Sequence, residues 1–445
     1  MTLETLTSHI DAGQIDTVLV VFPDTYARLM GKRLNARFFL DQAKTGTHGC
    51  NYLLTLNMEM DPLDGFKLAS WDKGFGDFHI QPDLSSLRTL PWQPGTAMVL
   101  CDLHHHDGRP VEEAPRSVLR KQIDRLAALG LSCNIASELE FFLFNDTYHA
   151  GFASGYANLS PSSDYRIDYH TLQPTRDEPI MHALRTQMEA AGVVVESTKG
   201  EWGKGQHEVN FLYSNPMSMA DGHVVFKQGA KEIAERNGKS LSFMPKISAT
   251  EAGNSCHIHL SLWRGKQNLF WEGNGPSKYF RQFLGGLIRY APELSYFSSA
   301  TINAYKRYQS GSWAPTKMAW AMDNRTVGFR VVGEGNSFRI ENRMPGGDAN
   351  PYLAFAAMLI AGLAGVEENL DCGDRYEGNA YTDASLPRLP ATLAESADLL
   401  DGSRLARTAL GDDVVDFYAL TARHEVNAFN AAITDWERVR YFERI

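Results

Sequence analysis

Three carboxylates, Glu196, Glu201 and Glu208, fall within thirteen residues behind the apolar run 193–195. The three valines predict a buried strand. Gly200, Gly203 and Gly205 then let the backbone turn back tightly, so that Glu201 and Glu208 converge. Converging carboxylates repel, and each resists ionisation unless a multivalent cation lies between them. Taken alone, the stretch is equally a solvated acidic hairpin, and matching ligands elsewhere must decide.

Three other segments place ligand-type residues at alternate positions, and residues two apart on a strand share a face. In Ser-Glu-Leu-Glu-Phe, Glu138 and Glu140 point together while Leu139 and Phe141 turn to the core. In Cys-His-Ile-His-Leu-Ser-Leu, His257, His259 and Ser261 share one face. In Arg-Ile-Glu-Asn-Arg, Arg339, Glu341 and Arg343 do the same. A solvated strand face also alternates, but it favours Thr, Lys and Ser over Glu and His. Five carboxylates (Glu138, Glu140, Glu201, Glu208, Glu341) and the imidazole of His257 suit two or more hard divalent ions, Mg²⁺ or Mn²⁺, and not zinc. Lys306, Arg307, Arg325, Arg330, Arg339 and Arg343 lie within thirty-eight residues and can clamp carboxylates or phosphates. Metal beside arginine suits phosphoryl transfer. The residues by themselves stop at a metal-dependent, nucleotide-using enzyme.

The elements that must position these groups follow from the rest of the chain. With 445 residues, 43% of them hydrophobic and 22% charged, the chain predicts a large core and two domains. A net charge of -10 excludes a nucleic-acid footprint, which needs a basic face. Five scattered cysteines without a Cys-x-x-Cys pair predict neither disulfides nor a zinc knuckle, and fit a reducing cytoplasm. No basic-then-apolar leader is present, and the longest apolar stretch, 352–366, is too short for a bilayer. It reads as a buried helix, with Asn350 as N-cap and Pro351 at the first position.

Strand-like pieces at 16–22, 29–34, 50–56, 78–81 and 97–103, with one helix over 36–45, predict a β-rich first module. His104, His105 and His106 before an Asp-Gly turn read as a linker, three neighbours on a loop pointing in different directions. The domain boundary is placed there, giving domains 1–108 and 109–445. A helix is expected from Pro115, and the tail from about Thr382 is polar, then helical. Asn237-Gly238-Lys239-Ser240 ends like a phosphate loop, but Ile233 stands where the loop needs glycine.

Glu138-Leu-Glu140-Phe-Phe-Leu-Phe, Gly205-Gln206-His207-Glu208 after Glu201, His257-Ile-His259-Leu-Ser261-Leu, Asn303-Ala-Tyr305-Lys306-Arg307, Asp323-Asn324-Arg325 and Arg339-Ile-Glu341-Asn-Arg343 through Asn350-Pro351-Tyr352 together resemble the signatures of the type I glutamine synthetase family. The order is the family's, from about residue 15 to the end. The resemblance implies an α+β fold: an N-terminal β-grasp domain, then a catalytic α/β domain whose antiparallel sheet forms the active-site funnel. It also implies a homo-oligomer, a dodecamer of two hexameric rings. By resemblance, Glu140, Glu201 and Glu208 hold one metal, and Glu138, His257 and Glu341 the other. Glu196, Tyr213, His259, Ser261 and Arg339 match nucleotide contacts. Arg307, Arg343 and Gly253 resemble the glutamate site, and Arg325 and Arg330 the catalytic arginines at the transferred phosphate. The implied substrates are glutamate, ATP and an amine. The γ-carboxylate takes the γ-phosphate of ATP, and the amine displaces phosphate from the acyl phosphate.

The departures bear on the amine. The family's ammonia enzymes carry a flap glutamate in a Pro-Gly-Tyr-Glu-Ala-Pro segment, where this chain reads Ser310-Gly311-Ser312-Trp313-Ala314-Pro315. The loop that supplies an aspartate reads Thr47-His48-Gly49-Cys50-Asn51, and Ser255 replaces a glycine two residues before His257. Losing two anions removes the attraction and the base an ammonium pocket needs. An organic amine, polyamine or monoamine, offered an indole by Trp313 fits better, with Tyr169 and Cys50 beside it. The expected activity is γ-glutamylamide synthesis, close in character to the γ-glutamylpolyamine synthetases. An ordinary ammonia-using glutamine synthetase and a non-catalytic amine sensor are the alternatives.

Overall fold

The computed structural model describes residues 1–42 and 46–445. Among them, a six-stranded sheet occupies the first part of the chain, in the order Leu29–Asn35, Thr17–Pro23, Thr96–His104, Asp77–Pro82, Thr47–Cys50, with Arg88–Thr89 paired to Thr96–His104. The β-branched run that begins at Thr17 is central and buried on both faces, which is why it reads as continuous hydrophobicity. The extended piece expected over 50–56 is instead the end of Thr47–Cys50 followed by a 3-10 turn, Asn51–Leu54. The helix expected over 36–45 is present as Ala36–Gln42; its last three positions lie outside the described residues. A second helix, Leu3–Asp11, escaped the reading because its apolar stripe is only Leu6 and Ile10. Thr2 caps it, Oγ1 accepting from Thr5 N at 3.2 Å.

A nine-stranded sheet builds the remainder. Its path runs Trp320–Met322, Phe329–Val332, Arg339–Asn342, Cys256–Arg264, Ser132–Phe144, Gln206–Phe211, Val195–Gly200. The sheet is not wholly antiparallel, since Trp320–Met322 and Phe329–Val332 pair in parallel. The valines at 193–195 do not form the buried strand expected of them. The strand begins at Val195 on the sheet edge, with Val194 exposed, because an edge strand has a neighbour on one side only. Gly205 turns this edge strand into Gln206–Phe211 at a φ of 70°, and a Cβ there would meet Leu143 O at 2.7 Å. Only glycine satisfies both demands.

Helices cover the other face. Pro351–Glu367 is apolar on every side and buried almost throughout, so the 352–366 stretch is a core helix. Asn350 caps it, Oδ1 accepting from Tyr352 N at 3.2 Å. It crosses Lys278–Leu294 with backbone nearly touching backbone, and a Cβ on Gly286 would strike Ala361 O and Gly365. Among the described residues no helix is long and apolar enough to cross a membrane. Arg116, buried at the start of the expected helix Pro115–Ala128, joins the layers. It pairs with Asp221 on Pro216–Arg236, and reaches Asp83 at 2.6 Å and Asp102 at 2.8 Å on the first sheet's side. Three carboxylates around one guanidinium compensate its desolvation.

Candidate active site

Strand register sets the site. Directly opposite residues on antiparallel strands lie about 5 Å apart on one face. His257 stands opposite Glu138, and Glu140 opposite Glu208. Glu341 stands between His259 and Arg330 on its two neighbours. The alternation legible in the sequence therefore becomes two rungs of ligands on one face. Two groups result, Glu138 with His257 and Glu341, and Glu140 with Glu201 and Glu208. In each, one ligand atom per residue lies within 4.8 Å of the others.

The first group is charge-compensated by arginine and imidazole. His257 Nδ1 lies 2.7 Å and His259 Nε2 3.3 Å from Glu138. Arg330 donates to Glu341 at 2.7 Å and Arg343 also binds it. Burial acts to raise Glu138 and Glu341, but these partners hold both below the ordinary glutamate value. Burial and then Arg343 lower His257, and its Nε2 is buried without a hydrogen-bond partner. The second group lacks such compensation. Burial and then Glu201 push Glu140 up to about 8; burial and then Glu138 push Glu208 up to about 10. Arg307 acts on Glu140, and Lys199 reaches the group directly: its Nζ pairs with Glu201 and lies 3.8 Å from Glu208 and 3.7 Å from Asp168. A set of carboxylate oxygens that cannot all ionise, with an ammonium drawn among them and one unpaired imidazole nitrogen, fits hard divalent cations.

Both groups open on a funnel of about 1200 Å³. Glu196, Tyr213, His259, Ser261 and Arg339 line it, as do Gly253, Arg307, Trp313, Tyr169, Arg325, Arg330 and Arg343. Glu341 is fully buried behind the wall, joined to it through His257 and the arginines. Besides Glu341, Cys50 is the expected site residue that does not line this funnel. It faces Asp77 across the first sheet, because the strand it ends belongs to that sheet.

Arg307 is buried and held by Met344 O and by Ser255 Oγ, each at 2.9 Å. Ser255 also donates its backbone N–H to Glu140 at 2.7 Å. The serine where the family pattern has glycine thus ties the guanidinium expected at glutamate to a ligand carboxylate. Gly253 is required beside it, since a Cβ would meet Arg307 Cγ at 2.6 Å.

At the funnel's other wall, Trp313 adopts a φ of 65°, a conformation costly for a bulky residue and met where surroundings enforce it. Its carbonyl accepts from Arg343 at 3.3 Å. Its indole packs edge-on against Trp202, ring centroids 6.2 Å apart, and remains 49% exposed. Tyr169 lies under Lys199, whose Nζ is 4.5 Å from the ring centroid.

Sequence reasoning missed Lys199, Asp168 and Trp202. Lys199 stands two residues before Glu201, and the same alternation argument would have placed it on the ligand face. Trp202 follows Glu201 directly. Nothing in the pattern around Asp168 announces it.

The profile of the glutamine synthetase catalytic domain matches residues 112–441. Gamma-glutamylethanolamide synthetase of Streptomyces coelicolor is 49% identical over 445 residues, covering 100% of this chain and 96% of that protein. Glutamate–isopropylamine ligase of a Pseudomonas species is 37% identical over 444 residues, covering 98% of this chain and 97% of that protein. Solved structures of GmaS, as an ADP complex and without ligand, each superpose with a TM-score of 0.86 at 30% identity, covering 98% of this chain and 99% of theirs.

Proposed function

The chain belongs to the glutamine synthetase family, and from that premise we propose how its funnel makes a γ-glutamylamide. The protein is an ATP-dependent glutamate–amine ligase: it joins the γ-carboxylate of glutamate to an organic amine, releasing ADP and phosphate. A short monoamine, of the ethanolamine or isopropylamine kind named for the two relatives, is the proposed acceptor. The observation that carries this reading is Trp313, an indole with no carboxylate on segment 310–315, lining the same funnel as both ligand groups.

Two Mg²⁺ or Mn²⁺ ions, held by Glu140, Glu201 and Glu208 and by Glu138, His257 and Glu341, would supply charge neutralisation for the nucleotide phosphates. The chain's own residues do the rest. Glu196, Tyr213, His259, Ser261 and Arg339 take the nucleotide. Arg307, Arg343 and the backbone at Gly253 orient glutamate so that its γ-carboxylate meets the γ-phosphate. Arg325 and Arg330 meet the charge on the transferred group. Transfer makes the unreactive carboxylate an acyl phosphate; the neutral amine nitrogen attacks its carbonyl carbon, phosphate leaves, and the proton the nitrogen sheds as the amide forms goes to the departing phosphate. Asp168 is a carboxylate on the wall with Tyr169 and Trp202, and is proposed to attract the ammonium form and to take the proton it must lose before it attacks.

The first sheet is proposed to be a β-grasp domain ending near residue 108. A homo-oligomer, a dodecamer by family likeness, is supported by the exposed Ile433, Trp436, Val439, Phe442 and Ile445 at the C-terminal end, apolar surface that a second copy would cover. Five free cysteines support a cytoplasmic setting. Initial rates of phosphate release with glutamate, ATP and a panel of amines test the acceptor. Turnover with short alkylamines above that with ammonium supports it; ammonium equal to every organic amine overturns it.

A further inference from the structure

Behind segment 244–253 lies a second cavity, of about 880 Å³, that shares no lining residue with the funnel. Phe142, Phe144, Tyr148, Leu159 and Phe243 give it apolar walls, and the turn 25–29 closes one side. The helix Pro216–Arg236 lays Val224, Lys227, Gln228 and Lys231 along it, positions three and four apart that share one helix face. Two of these four are lysines, at the border of an aromatic space.

Lys227 Nζ donates to Gly347 O at 2.9 Å and lies 5.3 Å from the centroid of the Phe243 ring. Lys231 Nζ is 6.0 Å from the same ring. Among the described residues neither forms an ion pair. The acids that act on Lys227 are engaged elsewhere: Asp24 with Arg28 at 2.6 Å, and Asp348 through Oδ2 with the Thr301 hydroxyl at 2.6 Å. Asp348 also lines the cavity, and its Oδ1 is buried without a partner. Burial and then Lys231 push Lys227 down to about 8, whereas Lys231 is exposed. Two ammonium groups on one aromatic ring without an ion-paired carboxylate repel each other, and an anion between them offsets that repulsion.

We propose that this cavity binds an amphipathic carboxylate, its head at Lys227 and Lys231 and its apolar body against Phe142, Phe144 and Phe243. A hydroxyl beside the head satisfies Asp348 Oδ1, which makes a hydroxy acid the better ligand. Met244, Ile247, Ser248 and Glu251 line this cavity, whereas Ala252 and Gly253, the next residues, line the funnel. An occupied cavity fixes the segment that shapes the proposed glutamate site, so the two ligands are linked, and linkage is reciprocal.

Binding here is measurable without turnover, and so stands or falls apart from the ligase reading. Calorimetric titration of the intact chain with phenyllactate, and with phenylpropanol as the uncharged body, is the test. The expected result is saturable binding of the acid, about tenfold weaker for the alcohol, as loss of a charge-assisted contact implies. Lys231→Gln and Lys227→Met each weaken the acid about tenfold, and saturating ADP leaves it in place. Should Lys227→Met not fold, Lys231→Gln, on the exposed side, carries the test. No saturable binding, equal affinity for acid and alcohol, an unaffected Lys231→Gln variant, or displacement by ADP overturns the site. Equal affinity with and without glutamate overturns the linkage.

Discussion

Replacing Trp313 with alanine should change which amine the enzyme prefers more than how fast it works. In the free protein the indole is 49% exposed and faces the funnel, so roughly half its surface is available to an incoming amine. A branched alkylamine covering that face buries about two methyl-sized groups, worth about 0.8 kcal/mol each. An ammonium set against an indole adds about 0.5–1 kcal/mol. The sum is about 2 kcal/mol, or roughly thirtyfold at 1.4 kcal/mol per decade. The ammonium ion has no alkyl body and keeps only the second contribution. Steady-state phosphate release should therefore show kcat/KM for isopropylamine falling about thirtyfold in Trp313→Ala, and kcat/KM for ammonium falling about two- to fivefold. Equal losses for the two substrates would falsify the placement of the amine against Trp313. A mere change in stability is separated from this by thermal unfolding of the variant without substrates.

Two further outcomes follow from the carboxylates and from Ser255. Glu140 at about 8 and Glu208 at about 10 stand above their unfolded values, so their contribution to stability is present at low pH and is lost as pH rises through those values. Divalent cations reverse this: Mg²⁺ uptake should release protons near neutrality and raise Tm more as pH increases. Glu208→Gln, an isostere of the protonated form, should leave the metal-free Tm near neutrality unchanged and abolish the Mg²⁺-induced rise. Calorimetry in buffers of different ionisation heat reads the protons, and buffer-independent heats would contradict the raised values. Ser255→Gly leaves the buried Arg307 short of one acceptor, which should cost about 1–3 kcal/mol of stability while lowering KM for glutamate, since the guanidinium is freed for it. Urea unfolding and initial rates measure the two; a KM that rises with stability unchanged would refute that role of Ser255.

The ligand face was legible because alternation is a local property: Glu138 and Glu140, or His257 and His259, declare a shared face without knowledge of their neighbours. Which strands sit beside one another is non-local. The partition into two groups became visible only with the register that sets Glu140 opposite Glu208 and His257 opposite Glu138. The same limit explains the edge position of Val195–Gly200 and the parallel pair at Phe329–Val332, which depend on long connections and not on composition. The helix Leu3–Asp11 was missed for the opposite reason, a short stripe of two buried residues under a good cap. Lys199 lies inside the stretch 196–208 and is missed there because the repelling carboxylates dominate its pattern and the cation between them does not. Asp168 reaches the funnel from a segment without regular structure, where no periodicity could speak for it.

The central claim is that this funnel captures an organic amine in place of ammonia on an activated γ-carboxylate. Its most direct test is a competition: glutamate, ATP and Mg²⁺ with equimolar ammonium and ethanolamine, the amide products resolved by mass spectrometry. γ-Glutamylethanolamide is expected as the main product, with ADP and phosphate formed in equal amount. Glutamine as the main product, or ATP hydrolysis without any amide, would contradict it.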